Sequence, residues 1–391
     1  MTSDNTLRTR LEELRADHRP RRAPELLPFP TPAQLDLLKA ALMPAEMAAP
    51  AWRRWKSRGL QLETVDEASG RMYSQLWANR EAAEIDAEDL PLLKGVYRQS
   101  LARNAVTLTG GLQAAGLLTD AGIPVVFIKG AAMIAVAEGR LGLRRIVDVD
   151  LLVPESDAER ALEVLLAAGY ESDLAPPRFA YTHGWNCHDS DGSRVDLHWS
   201  AFKTAGDDSG IFQSAVSATL LQRPVLLPSV TDCLVMAVAT AFPGNGSPLR
   251  WVADAIMLFE VSGGEIDWDT VIERARRPGV SLGLTAGLEF LAREFSVPVP
   301  DRVLVQLQRL PSNWRERLAY WSAVRGIPAR PGPIEFLERH WARRLHDSGN
   351  TPPDFLSYMA QATGRNNRRE LLTAWLAKAA SQCLPAPSPR P

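Results

Sequence analysis

The sequence predicts an α+β fold in which a small mixed β-sheet is flanked by a helical stretch before it and another after it. Three observations predict this. From Pro32 to Gly116 apolar residues recur at helical spacing: Leu35, Leu38 and Leu42 share one face, as do Tyr97, Leu101, Leu108 and Leu112 further on. At Leu117 the texture changes to short apolar runs bounded by glycine and proline, and beyond Ala201 the helical spacing returns. A chain of 391 residues is also too long for one ordinary core. The expected organisation is a flexible lead-in over 1–30, an N-terminal helical domain over 31–116, a sheet-bearing core over 117–205, a C-terminal helical domain over 206–378 and a disordered tail over 379–391.

Composition narrows the function classes. Hydrophobic content of 46% and charged content of 23% belong to a globular protein rather than a disordered one. The 44 basic and 46 acidic residues leave a formal charge of -2, so no global field favours nucleic acid, and no nucleic-acid partner is expected. Cys187, Cys233 and Cys383 lie far apart with no metal or disulfide spacing, which fits a reducing cytoplasm. Met1 to Pro24 has no apolar segment of the secretory kind, and the apolar run near Cys233 to Phe242 is too short to span a bilayer. The expectation is a cytoplasmic protein without a membrane partner.

The lead-in is charged and broken by Pro20, Pro24, Pro28 and Pro30, a pattern that packs poorly. Trp52, Trp55 and Trp77 read as core anchors, and the basic run from Arg53 to Arg58 as a solvated helix face. Gly122-Ile123-Pro124 marks a turn into a strand, Val125 to Ile128, that ends at Lys129-Gly130. The glycine lets the chain turn sharply into a helix whose free N–H groups attract phosphate. It is not a Walker loop, because the spacing Gly-x-x-x-x-Gly-Lys-Ser/Thr is absent from the sequence.

The segment Ile146 to Val153 reads as a strand with Asp148 and Asp150 on one face and Val147, Val149 and Leu151 on the other. Neighbouring carboxylates repel each other, and in a partly buried site they need cationic partners or a divalent metal. On an exposed edge strand they would simply oppose aggregation. A helix follows, with Ser156 and Glu159 at capping-box spacing and Gly169 as its C-terminal cap. His183, Cys187 and His188 lack metal spacing and read as part of a structural strand or loop. In Arg194 to Trp199 the alternation returns, with Asp196 and His198 on one face. Asp196 is then a third carboxylate aimed at the other two, and His198 positions it.

Arg223 to Val230 reads as an extended connector, and Thr231 to Ala241 as an apolar helix. Arg250 and Asp254 stand one helical turn apart, spaced either to pair with each other or to line a substrate pocket. Further helices are expected over Trp268–Arg277, Leu282–Phe295, Val303–Leu310, Ile334–His346 and Asp354–Lys378.

Taken in order, these features form a recognisable pattern: Lys-Gly after an apolar strand, Arg-x-x-x-Asp-x-Asp-Leu-Leu-Val, a helix ending near Gly-Tyr, Val-Asp-Leu-His-Trp, and Arg-Trp-x-x-Asp from Arg250 to Asp254. The pattern resembles a family of uncharacterised bacterial nucleotidyltransferases, similar to a branch of the polymerase-β-type superfamily that includes aminoglycoside nucleotidyltransferases. It covers roughly residues 70–300. The resemblance implies a nucleotidyltransferase sheet and a metal-dependent transfer of a nucleotidyl group from an NTP to a hydroxyl or phosphate of a small-molecule or peptide acceptor. It implies Asp148, Asp150 and Asp196 as catalytic metal ligands for Mg2+, or Mn2+ in its place. Lys129 and Gly130 stand where the superfamily more often carries Gly-Ser, and with Arg144 and Arg145 they would meet the nucleotide phosphates. His198, Arg250 and Asp254 are the candidate substrate-binding residues. A transferase with a nucleotide-sugar donor and a noncatalytic nucleotide-binding scaffold are the alternatives.

Overall fold

The computed structural model describes residues 27–137, 140–172, 183–202, 208–239, 241–242, 247–277, 279–325, 354–362, 365 and 367–383. The chain enters through α1 (Pro32–Leu42), whose capping box closes between Thr31 and Gln34: each backbone N–H donates to the other's side chain, at 3.0 and 3.3 Å. In α2 (Ala45–Ser57) Trp52 and Trp55 are buried and stacked, with ring centroids 5.1 Å apart. The basic run on α2 is held by the protein's own carboxylates, Arg54 and Arg58 on Asp36 and Lys56 on Asp89, each at 2.9 Å. Two short helices, α3 (Glu67–Gly70) and α4 (Tyr73–Ala78), lead into the long α5 (Leu90–Asp120).

The four-stranded sheet has the order β1-β2-β4-β3, from β1 (Val126–Ile128), β2 (Val149–Leu152), β3 (Gly184–His188) and β4 (Arg194–His198). β1 runs antiparallel to β2, β2 parallel to β4, and β3 antiparallel to β4. Between β1 and β2 lies α6 (Lys129–Val136), and after β2 comes α7 (Ala158–Ala167). The expected α+β architecture with a small mixed sheet is the observed one.

Four local expectations are corrected. The strand expected from Ile146 begins only at Val149, and Val147 is exposed. The cause is Asn104 on α5, which is fully buried. Its amide donates to the Arg144 carbonyl at 2.7 Å and to that of Leu141, and its Oδ1 accepts from the Ile146 N–H at 3.0 Å, so the backbone polar groups just before β2 are satisfied by a side chain rather than a ladder. The capping box at Ser156 and Glu159 does not form. A 3-10 turn over Glu155–Asp157 precedes α7, which has no side-chain cap, although Gly169 does take the left-handed conformation (φ 85°) after the helix. The connector at Arg223 is half of a hairpin, β5 (Val216–Leu220) with β6 (Arg223–Leu227), turned by Leu221 and Gln222, both at positive φ. The lead-in is not wholly loose: the Pro28 carbonyl accepts from Trp251 Nε1 at 2.7 Å, and Phe29 packs against Phe242, Trp251 and Phe290.

The short α8 (Ser209–Gln213) precedes the hairpin, and the helices after it are α9 (Val230–Ala239), α10 (Arg250–Val261), α11 (Trp268–Ala275), α12 (Ser281–Phe295), α13 (Asp301–Gln308) and α14 (Trp314–Val324). Beyond them lie α15 (Phe355–Ala362) and α16 (Arg368–Cys383), two helices where one was expected; the second runs into the expected tail. The expectation of a helix at Ile334–His346, and those for 1–26 and 384–391, lie outside the described residues. Buried residues from Leu37 to Ala323 form one continuous apolar cluster, so helices from both sides of the sheet share its core. Among the described residues no helix is long and apolar enough to cross a membrane.

Candidate active site

The parallel pairing of β2 with β4 sets Asp150 directly beside Asp196, with Leu152 beside His198. Because side chains alternate, Asp196 and His198 share a face while Val195 and Leu197 go into the core. β1 brings Ile128 opposite Asp150, so the next residue, Lys129, overhangs the carboxylates. Its Nζ lies 2.6 Å from Asp150 Oδ1 and 4.0 Å from Asp196 Oδ2. His198 Nε2 completes the cluster at 3.0 Å from Asp150, 2.8 Å from Asp196 and 2.9 Å from Lys129 Nζ.

The backbone is arranged for this crowding. Lys129, not Gly130, carries the positive φ (50°), a strained conformation for a residue with a side chain, and it aims the ammonium at the sheet end. Gly130 serves a different purpose from the one its sequence context suggests. A Cβ there would come within 2.5 Å of the Arg144 guanidinium and 2.6 Å of Ile146, so its bareness admits Arg144. Gly184 on β3 likewise makes room for His198, whose Nδ1 lies 2.8 Å from the place a Cβ would take. That Nδ1 is buried without a hydrogen-bond partner, while Nε2 faces two carboxylates and the Lys129 ammonium.

Charge follows geometry. Burial pushes the Asp150 carboxyl up, but the His198 hydrogen bond and the Lys129 ammonium outweigh it and hold the group at about 2. Asp148 sits in the bend before β2, half-buried; burial, then the charges of Asp150 and Asp196, push it above the ordinary carboxylate value. His198 is lowered by burial and by Lys129, yet its bonds to Asp150 and Asp196 leave it raised on balance. One oxygen each from Asp150 and Asp196 and one ring nitrogen of His198 lie within 4.8 Å of one another, a spacing that suits a metal ion. Asp148 falls outside that group, and among the described residues His183, Cys187 and His188 form no such group.

The remaining candidates lie to one side. Arg144 donates from Nε and Nη2 to the two oxygens of Asp254 on α10, at 2.7 and 2.9 Å. Asp254 therefore does not pair with Arg250, contrary to their helical spacing, because the bidentate fork from the β2 approach takes both its oxygens. Arg250 is pulled down to about 10 by burial and by the like charges of Arg144 and Arg71. Arg145 is exposed. Arg71, at the end of α3, and Gln75, on α4, line the same cavity as Arg144, Arg145 and Arg250. Nothing in their sequence context marks those two; only the tertiary fold brings them there.

A model of the uncharacterised nucleotidyltransferase family matches residues 60–296. The chain belongs to that family. It is therefore a nucleotidyltransferase, and the carboxylates, the Lys129 turn and the arginine cavity all fall inside the family span. No curated protein matches the chain. Among solved structures, an antigenic nucleotidyltransferase-like protein from Paracoccidioides brasiliensis is similar at 16% identity and a TM-score of 0.31, over 55% of this chain and 95% of that one.

Proposed function

We propose that this nucleotidyltransferase is of the polymerase-β type, uses a divalent cation, and moves a nucleotidyl group from a nucleoside triphosphate to a hydroxyl or phosphate of a small-molecule or peptide acceptor. The observation that carries the reading is the parallel register that sets Asp150 beside Asp196 under Lys129. The donor set fits a divalent cation: two carboxylate oxygens and an imidazole nitrogen converge, with a third carboxylate, Asp148, near enough to feel the charge of both. The imidazole favours Mn2+ more than an all-oxygen set would, while the two carboxylates suit Mg2+ as well. When bound, such an ion neutralises phosphate charge and orients the attacking oxygen in line with the bond that breaks.

The protein's own groups do the rest. The acceptor oxygen forms its bond to the α-phosphorus as the bond from that phosphorus to the bridging oxygen breaks, and pyrophosphate leaves with the electron pair. Asp196 takes the acceptor's proton, with His198 at 2.8 Å fixing its orientation. Lys129, 2.6 Å from Asp150, supplies a point charge at the strand end where the nucleotide phosphates would lie. Arg144, braced by Asp254, packs onto the bare Gly130 and sets its charge beside the turn.

The test is calorimetric titration of the four NTPs with and without Mg2+ or Mn2+, against wild type and Asp150→Asn. Binding of at least one NTP should need the cation and weaken about tenfold or more in the variant. Equal, metal-indifferent binding by both proteins would overturn the reading.

A further inference from the structure

The cavity beside the carboxylates gathers four guanidinium groups, Arg71, Arg144, Arg145 and Arg250, and the only carboxylate among its lining residues is Asp254. That carboxylate is fully engaged by Arg144. Arg71 bonds Glu67 at 2.6 Å, but the Glu67 side chain is 76% exposed and does not line the cavity. For Arg250 and Arg145 no ion pair or hydrogen bond is found among the described residues, although Arg250 has an acidic residue one turn along its own helix. An arginine that could pair with Asp254 and is left free beside three others is placed to meet charge from outside. Gln75 adds a second, neutral sign of the same thing: its Oε1 is buried with no partner. An amide's oxygen and nitrogen exchange places by a half-turn, so Gln75 can present N–H to an anion.

The position says which anion. Arg144 lies against Gly130, at the start of the turn whose Lys129 covers Asp150, and Asp148 is among the charges acting on Arg250. The cavity thus adjoins the Gly130 turn through Arg144, although neither Lys129 nor any of the three carboxylates lines it. We propose that Arg71, Arg145, Arg250 and Gln75 form the subsite for the terminal diphosphate of a nucleoside triphosphate, the part that departs as pyrophosphate. This rests on the donor reading above and sharpens it. This excess of positive charge favours the more highly charged free diphosphate end of a nucleoside triphosphate over the substituted diphosphate of a nucleotide-sugar. It also makes the helices α3 and α4, which precede the sheet by about fifty residues in the chain, part of the donor site.

The experiment is calorimetric titration of inorganic pyrophosphate into the full chain with chelator present, using wild type, Arg250→Ala, Arg71→Gln, Gln75→Leu and, as a control, Arg223→Ala on the exposed side of the hairpin. Arg250→Ala and Arg71→Gln should each weaken pyrophosphate about tenfold or more, Gln75→Leu by less, and Arg223→Ala hardly at all. Arg250→Ala should at the same time keep or raise the thermal midpoint, since it removes a like charge; a merely structural arginine would lower it. Pyrophosphate should also compete with whichever NTP binds. Unchanged pyrophosphate affinity in Arg250→Ala, or equal weakening in Arg223→Ala, overturns the subsite. Simultaneous binding of pyrophosphate and NTP overturns it too, by giving the cavity to a phosphorylated acceptor. Metal-dependent NTP binding lost in Asp150→Asn, with pyrophosphate indifferent to Arg250, would sink the subsite and leave the proposed function standing. Pyrophosphate held by Arg250 in a protein whose NTP binding ignores the cation would do the reverse.

Discussion

Lys129 occupies the place between Asp150 and Asp196 where a divalent cation would bring its charge, which makes its role conditional. In the metal-free protein, removing it as Lys129→Met leaves Asp150 with only His198 for compensation. Because the Lys129 side chain is 34% exposed, the loss should be about 1–3 kcal/mol, below that for a fully buried pair. Adding Mn2+ should return most of it; thermal melts with chelator and with Mn2+ measure both, and a melt unaffected by the substitution would show that Lys129 does not compensate Asp150. The acid limb of stability gives a second check. Asp150 titrates at about 2 when folded against an ordinary 3.8, so its contribution is present above the unfolded value and disappears as pH falls through the folded one. Urea titrations of the chelated protein between these values should show a steeper loss for wild type than for Asp150→Asn. Parallel limbs would refute the pairing. Asp150, Asp196 and Lys129 were legible in the sequence, because period-two alternation and a strand end give direction without any knowledge of the partner strand. Arg71 and Gln75 were not, since a cation on a short helix has no pattern that reports which cavity it will meet. The spacing of Arg250 and Asp254 leaves pairing and pocket lining both open for the same reason: spacing along one helix says nothing about a stronger competitor arriving from a loop.

Among the elements, the approach to β2 and the β5–β6 hairpin both differ from what the sequence pattern predicts, each because a special local feature replaces the usual signal. Asn104 holds the stretch before β2, and alternation alone extends the strand back to Ile146 without knowing that a buried amide already takes its backbone groups. Asn104→Ala should leave the Ile146 N–H without a partner in the interior and cost about 2–3 kcal/mol in urea unfolding, with cation affinity falling as Asp148 loses its fixed approach. A loss under about 0.5 kcal/mol would mean the bend holds itself. The hairpin escaped because its turn is Leu221-Gln222 instead of the usual asparagine and glycine, though both residues take positive φ, 47° and 63°. Gln222→Gly should therefore raise stability, by about 0.5–1 kcal/mol, since glycine adopts that backbone without strain. A fall in the unfolding midpoint would mean the Gln222 side chain makes a contact worth more than the strain.

At the scale of the molecule, a pattern of helices, sheet and helices reads off the sequence because hydrophobic period survives any rearrangement, but the docking of the segment before α1 does not. Phe29, in a segment whose prolines predict poor packing, sits 5.2 Å from the Phe290 ring and 6.2 Å from that of Trp251, and the neighbouring Pro28 carbonyl takes the Trp251 indole N–H. Trp251 lies beside Arg250 in the first turn of α10, the helix that also carries Asp254. Pro28 and Phe29 thus brace the helix that presents the charged groups of the cavity, through a core that α1 and α12 share and that the Lys39 to Glu294 bridge at 3.4 Å closes at the surface. Phe29→Ala removes a half-buried ring from this brace and should cost about 1–3 kcal/mol. It should also weaken pyrophosphate binding two- to fivefold or so by loosening α10, although residue 29 touches none of the charged groups. Trp251→Phe keeps the ring cluster but frees the Pro28 carbonyl; if the brace works through α10, it should weaken pyrophosphate as Phe29→Ala does while costing less stability. Loss of stability in Phe29→Ala with pyrophosphate affinity intact would place the brace in the core alone and detach it from the site.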